Sequence, residues 1–530
     1  MRRLPSPRAA ATLLLPTACS LALLLLYFLV AWQLLGDAML YDGAGFALLL
    51  LYLTSSLAAT LLRLAAPRLP PLLGMLLAGL ALRTLPSSPL LASTPLLGHP
   101  FPWWSSTTRA IALAVIMARA GLAIDLPKLR AIGGAAARLA SLPCLGEAAA
   151  AALLARPLLG LPAAWGGTLG FVLAAVSPAV VVPGMLDLQH RRIGTDKGIP
   201  TLVLAAASID DVLAIAGFSV CLSLAAAGEE PEDGSGGAED GAALAWLALR
   251  APTELAAGCA TGVALGFGVA APCFQHALSD RQRSLAIVGA ALFTVLGGKT
   301  VAFSGGGALG AVVLGCTASR LWPAELRLPV QAQINALWQR LMPALFGLLG
   351  AAVDLHSIEP SDLGSGVLLI LCALAVRLLI TRLAVGGAGL TSREAAFLCV
   401  AWVPKATVQA AVGGAALDLM RERALGAEAE ARGALVLMLS VVVILLTAPV
   451  GATGIALAGP AWLSHDAREA SGAAGASTRE AERGGAARRD EAAGDRPAPT
   501  PGEGRGGEAF RKDGYAEAQG AYDWTHREAI

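Results

Sequence analysis

Two adjacent carboxylates, Asp210 and Asp211, stand inside an otherwise apolar run from residue 199 to residue 227. The run is long enough to cross a membrane as a helix, where each buried charge costs roughly 2.5–3.5 kcal/mol on insertion scales. Adjacent helical positions point about 100° apart, so at least one of the two acids should face a cavity. Neighbouring carboxylates titrate jointly, and one open to water can hold either a proton or a small hard cation. The pair therefore predicts a site at which protons and cations compete.

Oxygen atoms that could complete such a site occur elsewhere in the chain. Hydroxyls are available from Ser208, from Ser177 beside Pro178, and from Thr407. Carboxylate, hydroxyl and carbonyl oxygens are the ligands that hard cations prefer. The residues predicted to bind the ion or proton are Asp210, Asp211, Ser177 and Thr407, with the two aspartates as direct ligands of Na⁺ or Li⁺.

Three further ionisable residues are predicted to lie within the membrane, namely Glu147, Arg377 and Lys405. Two interpretations stay open for them. Glu147 and Arg377 could form a buried pair that only fixes helix packing, while Lys405 neutralises the carbonyls of a half-helix. Alternatively, all three could take part directly in transport, as intramembrane charges often do.

The composition indicates the kind of molecule that holds these residues. Hydrophobic residues make up 56% of the chain and charged residues only 15%, whereas a soluble domain is about one quarter charged. The mean hydropathy is +0.65. A net charge of +1 suggests no nucleic-acid partner, and the eight cysteines form no CxxC or Cys/His cluster. We expect an all-α polytopic membrane protein that needs no cofactor.

The hydropathy pattern predicts about fourteen transmembrane helices, because each apolar run is close to the 20 residues that a span requires. The spans lie near residues 12–35, 44–64, 69–85, 107–124, 131–156, 163–187, 199–227, 244–272, 284–302, 305–321, 334–353, 363–385, 393–418 and 433–461. Lys and Arg concentrate in alternate connections, and the acidic stretch 229–240 lies in an opposite one. By the positive-inside rule, both termini face the cytoplasm or a mitochondrial matrix.

This pattern gives a simple domain organisation. Residues 1–11 are a short cytoplasmic N-terminus, and residues 12–463 are the membrane domain. Residues 464–530 are rich in Ala, Gly, Glu, Arg and Asp. Such a composition cannot bury a core, so we expect a disordered cytoplasmic tail.

Two of the predicted spans are interrupted by proline. The sixth contains Pro178 and Pro183, and the thirteenth contains Pro404. A broken helix survives at membrane depth only where protein or a water-filled cavity covers the freed backbone groups. The preceding spans each carry a charge, Glu147 in the fifth and Arg377 in the twelfth. A charged span followed by an interrupted span therefore occurs twice, seven spans apart. Because seven is an odd number, the second pair crosses the membrane in the opposite direction to the first. Inverted repeats with interrupted helices are typical of secondary transporters.

These stretches together resemble the cation/proton antiporter-2 family, and within it the animal sodium/hydrogen exchanger 9B subfamily (NHA-type). The resemblance runs from about residue 13 to residue 460. It rests on S-I-D-D-V-L-A-I-A-G-F from Ser208, L-G-F-V-L-A-A-V-S-P-A-V-V-V-P-G-M from Leu169, L-P-P-L-L-G-M-L-L-A-G from Leu69, and A-W-V-P-K-A-T-V-Q-A-A-V-G-G from Ala401.

The resemblance implies an NhaA-like antiporter fold and a homodimer in the membrane. It implies exchange of Na⁺ or Li⁺ against H⁺ by an elevator movement of a core domain, near residues 107–227 and 334–461, beside a dimerisation domain. Asp211 matches the family's indispensable carrier and Asp210 its acidic neighbour. Arg377 stands where many bacterial relatives have lysine, and its implied partner is Glu147, with Asp210 as the competitor. Plasma, mitochondrial inner and endosomal membranes, and the sperm flagellum, are the expected locations.

Other classes of protein remain to be considered. A potassium/proton exchanger shares this fold, and a channel would lack saturable exchange. A sodium-coupled solute symporter would need a larger polar pocket than these spans supply. An intramembrane aspartyl protease would place its two aspartates on different helices, one in a GxGD setting, whereas Asp210 and Asp211 are neighbours and no GxGD occurs.

Overall fold

The computed structural model describes residues 25–40, 43–84, 102–123, 134–229, 241–271, 277–301, 304–353 and 360–465. Apart from one isolated β-bridge between Ile193 and His465, the regular elements in these ranges are helices. They are α1 (Leu25–Met39), α2 (Ala44–Ala65), α3 (Pro71–Thr84), α4 (Pro102–Ala123), α5 (Gly134–Leu159), α6 (Ala163–Ala174), α7 (Pro178–His190), α8 (Ile199–Glu229), α9 (Gly241–Val269), α10 (Asp280–Thr300), α11 (Ser304–Leu321), α12 (Ala324–Ala351), α13 (Pro360–Ala384), α14 (Ser392–Ala401), α15 (Thr407–Val412), α16 (Ala415–Glu422) and α17 (Ala427–Trp462).

Each predicted span falls on a helix or on a pair of half-helices. Seven of the described helical segments are long and apolar enough to cross a membrane, four others are apolar but shorter, and the count of fourteen spans remains a prediction. The largest boundary difference is α12, which begins at residue 324 rather than near 334. The predicted N-terminus at 1–11, the first half of the first span and the tail beyond residue 465 lie outside the described residues.

The helices pack as two bundles. The crossed bundle consists of α5 to α8 and α13 to α17, in which α5 packs on α6 and α13, and α17 packs on α7 and α14. The flanking bundle consists of α2 to α4 and α9 to α12, in which α11 packs on α4, α9 and α10, and α12 packs on α2, α3 and α4. Helix α8 joins the two bundles by packing on both α6 and α11.

Glycines set how closely the helices of the flanking bundle approach one another. A Cβ atom at Gly121 of α4 would lie 2.1 Å from the carbonyl oxygen of Val312 on α11. Only a residue without a side chain permits that backbone contact. Van der Waals packing of small residues of this kind drives helix association where lipid removes the hydrophobic contribution.

Two helices of the crossed bundle are interrupted near their middles. Helix α6 ends at Ala174, and α7 begins at Pro178. Helix α14 ends at Ala401, and α15 begins at Thr407. Proline supplies no amide hydrogen and disfavours helical backbone in the residue before it. Ser177, before Pro178, is accordingly extended, with φ −96° and ψ 108°.

Candidate functional site

The two helix interruptions meet in space. The backbone amide of Ser177 donates a hydrogen bond of 2.8 Å to the carbonyl oxygen of Pro404. The hydroxyls of Ser177 and Thr407 lie 3.5 Å apart. Pro178 occupies the first turn of α7, while Pro183 lies further inside the same helix. The two broken helices therefore cross at their interruptions, and one half-helix gives a backbone partner to the other.

Asp210 is fully buried, and each of its two carboxylate oxygens accepts a hydrogen bond. Its Oδ2 accepts a hydrogen bond of 2.8 Å from the backbone amide of Val176, in the first interruption. Its Oδ1 accepts one of 2.9 Å from Nη2 of Arg377. The thiol of Cys144 lies 3.8 Å from the carbonyl oxygen of Asp210. Asp210 therefore ties α8 to the crossing point and to α13.

Arg377 pairs with both of the acids that the sequence offered as alternatives. Its Nη1 lies 2.8 Å from Oε2 of Glu147, and its Nη2 lies 2.9 Å from Oδ1 of Asp210. The same guanidinium donates to the carbonyl of Trp402, at 3.0 Å, and to that of Ala174. Those two carbonyls end α14 and α6, so Arg377 neutralises the negative ends of both half-helices.

Lys405, which lies in the second interruption, also contacts Glu147 and a carbonyl at the end of a half-helix. Its Nζ lies 2.5 Å from Oε2 of Glu147 and 3.0 Å from the carbonyl oxygen of Ala174. Its backbone amide donates to the hydroxyl of Thr447 at 3.0 Å. Glu147 therefore accepts from two buried cations. Such contacts fit the packing interpretation, and a direct part in transport stays a prediction for these three residues.

Asp211 differs from its neighbour. Its side chain is only 4% exposed, yet among the described residues no group donates a hydrogen bond to its Oδ1. A buried carboxylate oxygen without a donor requires an explanation, such as a bound ion or a water molecule. Asp211 is therefore the acid of the pair whose oxygen is available to a ligand. The side chain of Ser208, predicted as a further oxygen ligand, lies outside the described residues.

One polar residue at the crossing was not among the site residues predicted from the sequence. Gln409 is fully buried, and its amide nitrogen donates to the carbonyls of Val172, at 2.8 Å, and Ala175, at 2.9 Å. Val172 lies in the last turn of α6 and Ala175 directly follows that helix, so Gln409 satisfies backbone groups that the break leaves without helical partners. The available signal was a single amide side chain inside the apolar stretch that follows Pro404.

A cavity of about 60 Å³ lies next to this site. Its lining includes Ile215 of α8 and Ala411 of α15. These residues follow Asp211 and Thr407 by four positions, which is about one helical turn, or 5.4 Å. The cavity extends from there toward the ends of α8 and α16 that the positive-inside rule places away from the cytoplasm. In the orientation predicted from the sequence, it therefore approaches the aspartate pair from the outer side.

Comparison with known proteins shows which family this chain resembles over most of its length. Residues 45–458 match the model of the sodium/hydrogen exchanger family, described as transmembrane. The chain is 39% identical to human sodium/hydrogen exchanger 9B2 over 84% of this chain and 80% of that one. It is 37% identical to human sodium/hydrogen exchanger 9B1 over 84% of this chain and 83% of that one.

A solved structure supports the fold. The sodium proton antiporter MjNhaP1 from Methanocaldococcus jannaschii superimposes with a TM-score of 0.60 at 18% identity, over 78% of this chain and 98% of that chain. This likeness concerns the helical fold alone, whereas the family is established by the match over most of the membrane domain. The family predicted from the motifs is thereby confirmed: the chain is a multi-pass integral membrane protein and belongs to the sodium/hydrogen exchanger family.

Proposed function

We propose that this antiporter exchanges Na⁺ or Li⁺ for H⁺ at a single site, with Asp211 as the residue that binds either ion. The observation that supports this choice is the asymmetry of the aspartate pair. Both carboxylate oxygens of Asp210 accept hydrogen bonds from the protein, whereas Oδ1 of Asp211 has no donor among the described residues. A site that alternates between a proton and a cation needs an acid that is not already committed to a structural partner.

Further oxygen ligands come from the crossing point in this proposal. The hydroxyls of Ser177 and Thr407 face each other there, and Asp210 reaches the same interruption through the amide of Val176. The fixed cations Arg377 and Lys405 lower the negative charge around the site without occupying Asp211. A weakly held cation can then leave, which a transport cycle requires.

The movement that we propose is an elevator-like shift of the crossed bundle against the flanking bundle, within fourteen spans arranged as inverted repeats. The packing of the described helices supports a narrower moving unit than residues 107–227 and 334–461. Helices α4 and α12, which begin those two ranges, pack chiefly on other helices of the flanking bundle. We also propose that the protein is a homodimer that associates through the flanking bundle. Its location is a plasma, mitochondrial or endosomal membrane. Both proposals rest on the family resemblance.

Ion fluxes through the purified full-length protein in liposomes test this function. Proton movement driven by Na⁺, Li⁺ and K⁺ is compared in the wild-type protein and in the Asp211→Asn variant. We expect saturable exchange with Na⁺ and Li⁺ that the substitution removes. A flux driven by K⁺ alone would instead establish the potassium/proton exchanger, and wild-type Na⁺ flux in the variant would refute the role of Asp211.

A further inference from the structure

The outer cavity is bounded by polar contacts that join the two bundles. In the best buried of these, Nε of Arg109 on α4 donates to Oδ2 of Asp418 on α16 at 2.9 Å, and Nη2 donates to Oδ1. Nη1 of the same guanidinium donates to the hydroxyl of Ser105, one turn earlier on α4, at 2.6 Å. Two parallel bonds to one carboxylate fix the geometry as well as the charge. The pair therefore connects the flanking bundle to the crossed bundle in one defined arrangement.

A glycine in the backbone beside this pair leaves room for the arginine side chain. A Cβ atom at Gly414, just before α16, would lie 3.1 Å from Nε and 3.2 Å from Cδ of Arg109. A residue larger than glycine would press on the guanidinium at this position. The arginine therefore lies flat against the backbone that leads into α16, within contact distance of its carboxylate partner.

A second ion pair repeats the arrangement one turn further along α16. Glu422 follows Asp418 by four residues, on the same face of the helix. Its Oε1 lies 3.0 Å from Nζ of Lys299 on α10 of the flanking bundle. A third contact joins Ser223 of α8 to Glu254 of α9, at 2.9 Å. The wall of the cavity thus includes these three polar contacts between the bundles.

We infer that Arg109 and Asp418 form an outer latch, which holds the outer cavity, and with it the path to Asp211, closed to outside water and must open in each exchange cycle. This inference rests on the proposed elevator movement. Arg109 is fixed to α4 through Ser105, and Asp418 moves with α16 and the crossed bundle. A displacement of about one helical turn, 5.4 Å, separates the two side chains beyond hydrogen-bond distance. The pair therefore stabilises the arrangement seen here against the one in which the site faces outward.

The latch is tested by the access of water to the cavity, which needs no transport. Ser219 lines the cavity, and its hydroxyl bonds only within its own helix among the contacts described, to the carbonyl of Ile215. A Ser219→Cys reporter is introduced into the full-length protein in liposomes. Its reaction with a charged, membrane-impermeant thiol reagent is measured, and the rate of the native cysteines alone is subtracted. Population shift predicts faster labelling in variants that destabilise the closed arrangement.

We expect Asp418→Asn to accelerate labelling by about tenfold, which corresponds to the loss of one charge-assisted hydrogen bond. Glu422→Gln should accelerate it by a smaller factor, because the Lys299 pair is more exposed. The matched control is Glu229→Gln, which breaks an ion pair with Arg432 at the same end of the molecule but inside the crossed bundle. That control should leave both the labelling rate and the exchange unchanged.

The outcomes separate the latch from the proposed function. Unchanged labelling in a folded Asp418→Asn protein, or equal acceleration in Glu229→Gln, would overturn the latch even if exchange is normal. If Asp418→Asn does not fold, Arg109→Lys, which keeps the charge but loses the two parallel bonds to Asp418, takes its place, and unchanged labelling in that variant overturns the latch in the same way. A wild-type protein that shows no cation-driven proton flux contradicts the proposed function, while the labelling result still decides whether the two bundles are latched.

Discussion

The backbone amide of Ser177 donates a hydrogen bond to the carbonyl oxygen of Pro404 at 2.8 Å. Each residue lies in the interruption of a different helix, and the two are 227 positions apart in the sequence. An isolated interruption would leave its backbone groups without partners in hydrocarbon. The crossing supplies those partners, together with Arg377, Lys405 and Gln409, and brings the aspartate pair beside it. The crossing that satisfies the interrupted backbone is therefore also the place of the proposed ion site.

The first prediction concerns the division of roles between the two aspartates. Asp211→Asn should abolish exchange with little change in the melting temperature, because Oδ1 of Asp211 has no hydrogen bond to lose among the described residues. Asp210→Asn should impair exchange and also lower the melting temperature, since Arg377 loses a charged partner. Thermal unfolding of both purified variants, measured beside Na⁺-driven flux, checks this difference. Equal loss of stability in the two would contradict the assigned roles.

The second prediction concerns the coupling of Glu147 and Arg377. Removing one partner of a buried ion pair costs about 3–5 kcal/mol. Arg377→Gln should cost more than Glu147→Gln, because Arg377 also holds Asp210 and two carbonyls, whereas Lys405 remains beside Ala174 when Glu147 is neutralised. The double variant should recover part of the loss. A cycle of melting measurements that gave strictly additive losses would show that the two residues do not interact.

The third prediction concerns pH. If a proton and Na⁺ compete for Asp211, deprotonation creates the form that binds the cation, and the linkage is reciprocal. The apparent KM for Na⁺ should therefore fall as pH rises, by up to about tenfold per pH unit when one proton is displaced. It should level off once the site is fully deprotonated. Fluxes at several fixed, symmetrical pH values measure this. A KM that stays constant across roughly pH 5.5 to 8.5 would indicate separate ion and proton sites.

The fourth prediction concerns Gln409. Gln409→Leu should lower the stability by about 1–3 kcal/mol, because the carbonyls of Val172 and Ala175 lose their buried donor. The matched control is Ser440→Ala, whose equally buried hydroxyl bonds only to the carbonyl of Val436 within its own helix, among the contacts described. Denaturation of both variants should show a loss only in the first. Similar stabilities would mean that water replaces the amide at the crossing.

The fifth prediction concerns close helix packing. Gly121→Ala should destabilise the protein, since its Cβ would overlap the backbone of α11. Gly289→Ala, in α10, is the control because a Cβ there meets no atom within 4 Å. Alanine in a helix is favoured over glycine by about 1 kcal/mol, so the control should be neutral or stabilising. Melting temperatures that change in the same direction for both would contradict the proposed contact.

The sequence by itself determined the class of the molecule, the positions of its helices and the family. Apolar runs of about 20 residues permit few structures other than membrane helices. Proline acts locally, so the residues around Pro178 and Pro404 already indicated where α6 and α14 end. The five charges predicted within the membrane followed from the same local reasoning, because a charge within an apolar run is visible without a fold. The structure buries further charges that this reasoning did not select, among them Arg109, Glu254 and Asp418.

Only the tertiary structure decided which of these groups meet. Arg377 pairs with both Glu147 and Asp210 because α5, α8 and α13 bring these three residues together from distant positions in the chain. Such pairings depend on helix rotation and on how closely two backbones approach, and neither quantity is encoded in one helix alone. The partners of Gln409 and the contact between Arg109 and Asp418 could not be inferred from the sequence for the same reason. A single polar residue in an apolar run becomes interpretable only when the opposite helix is in place.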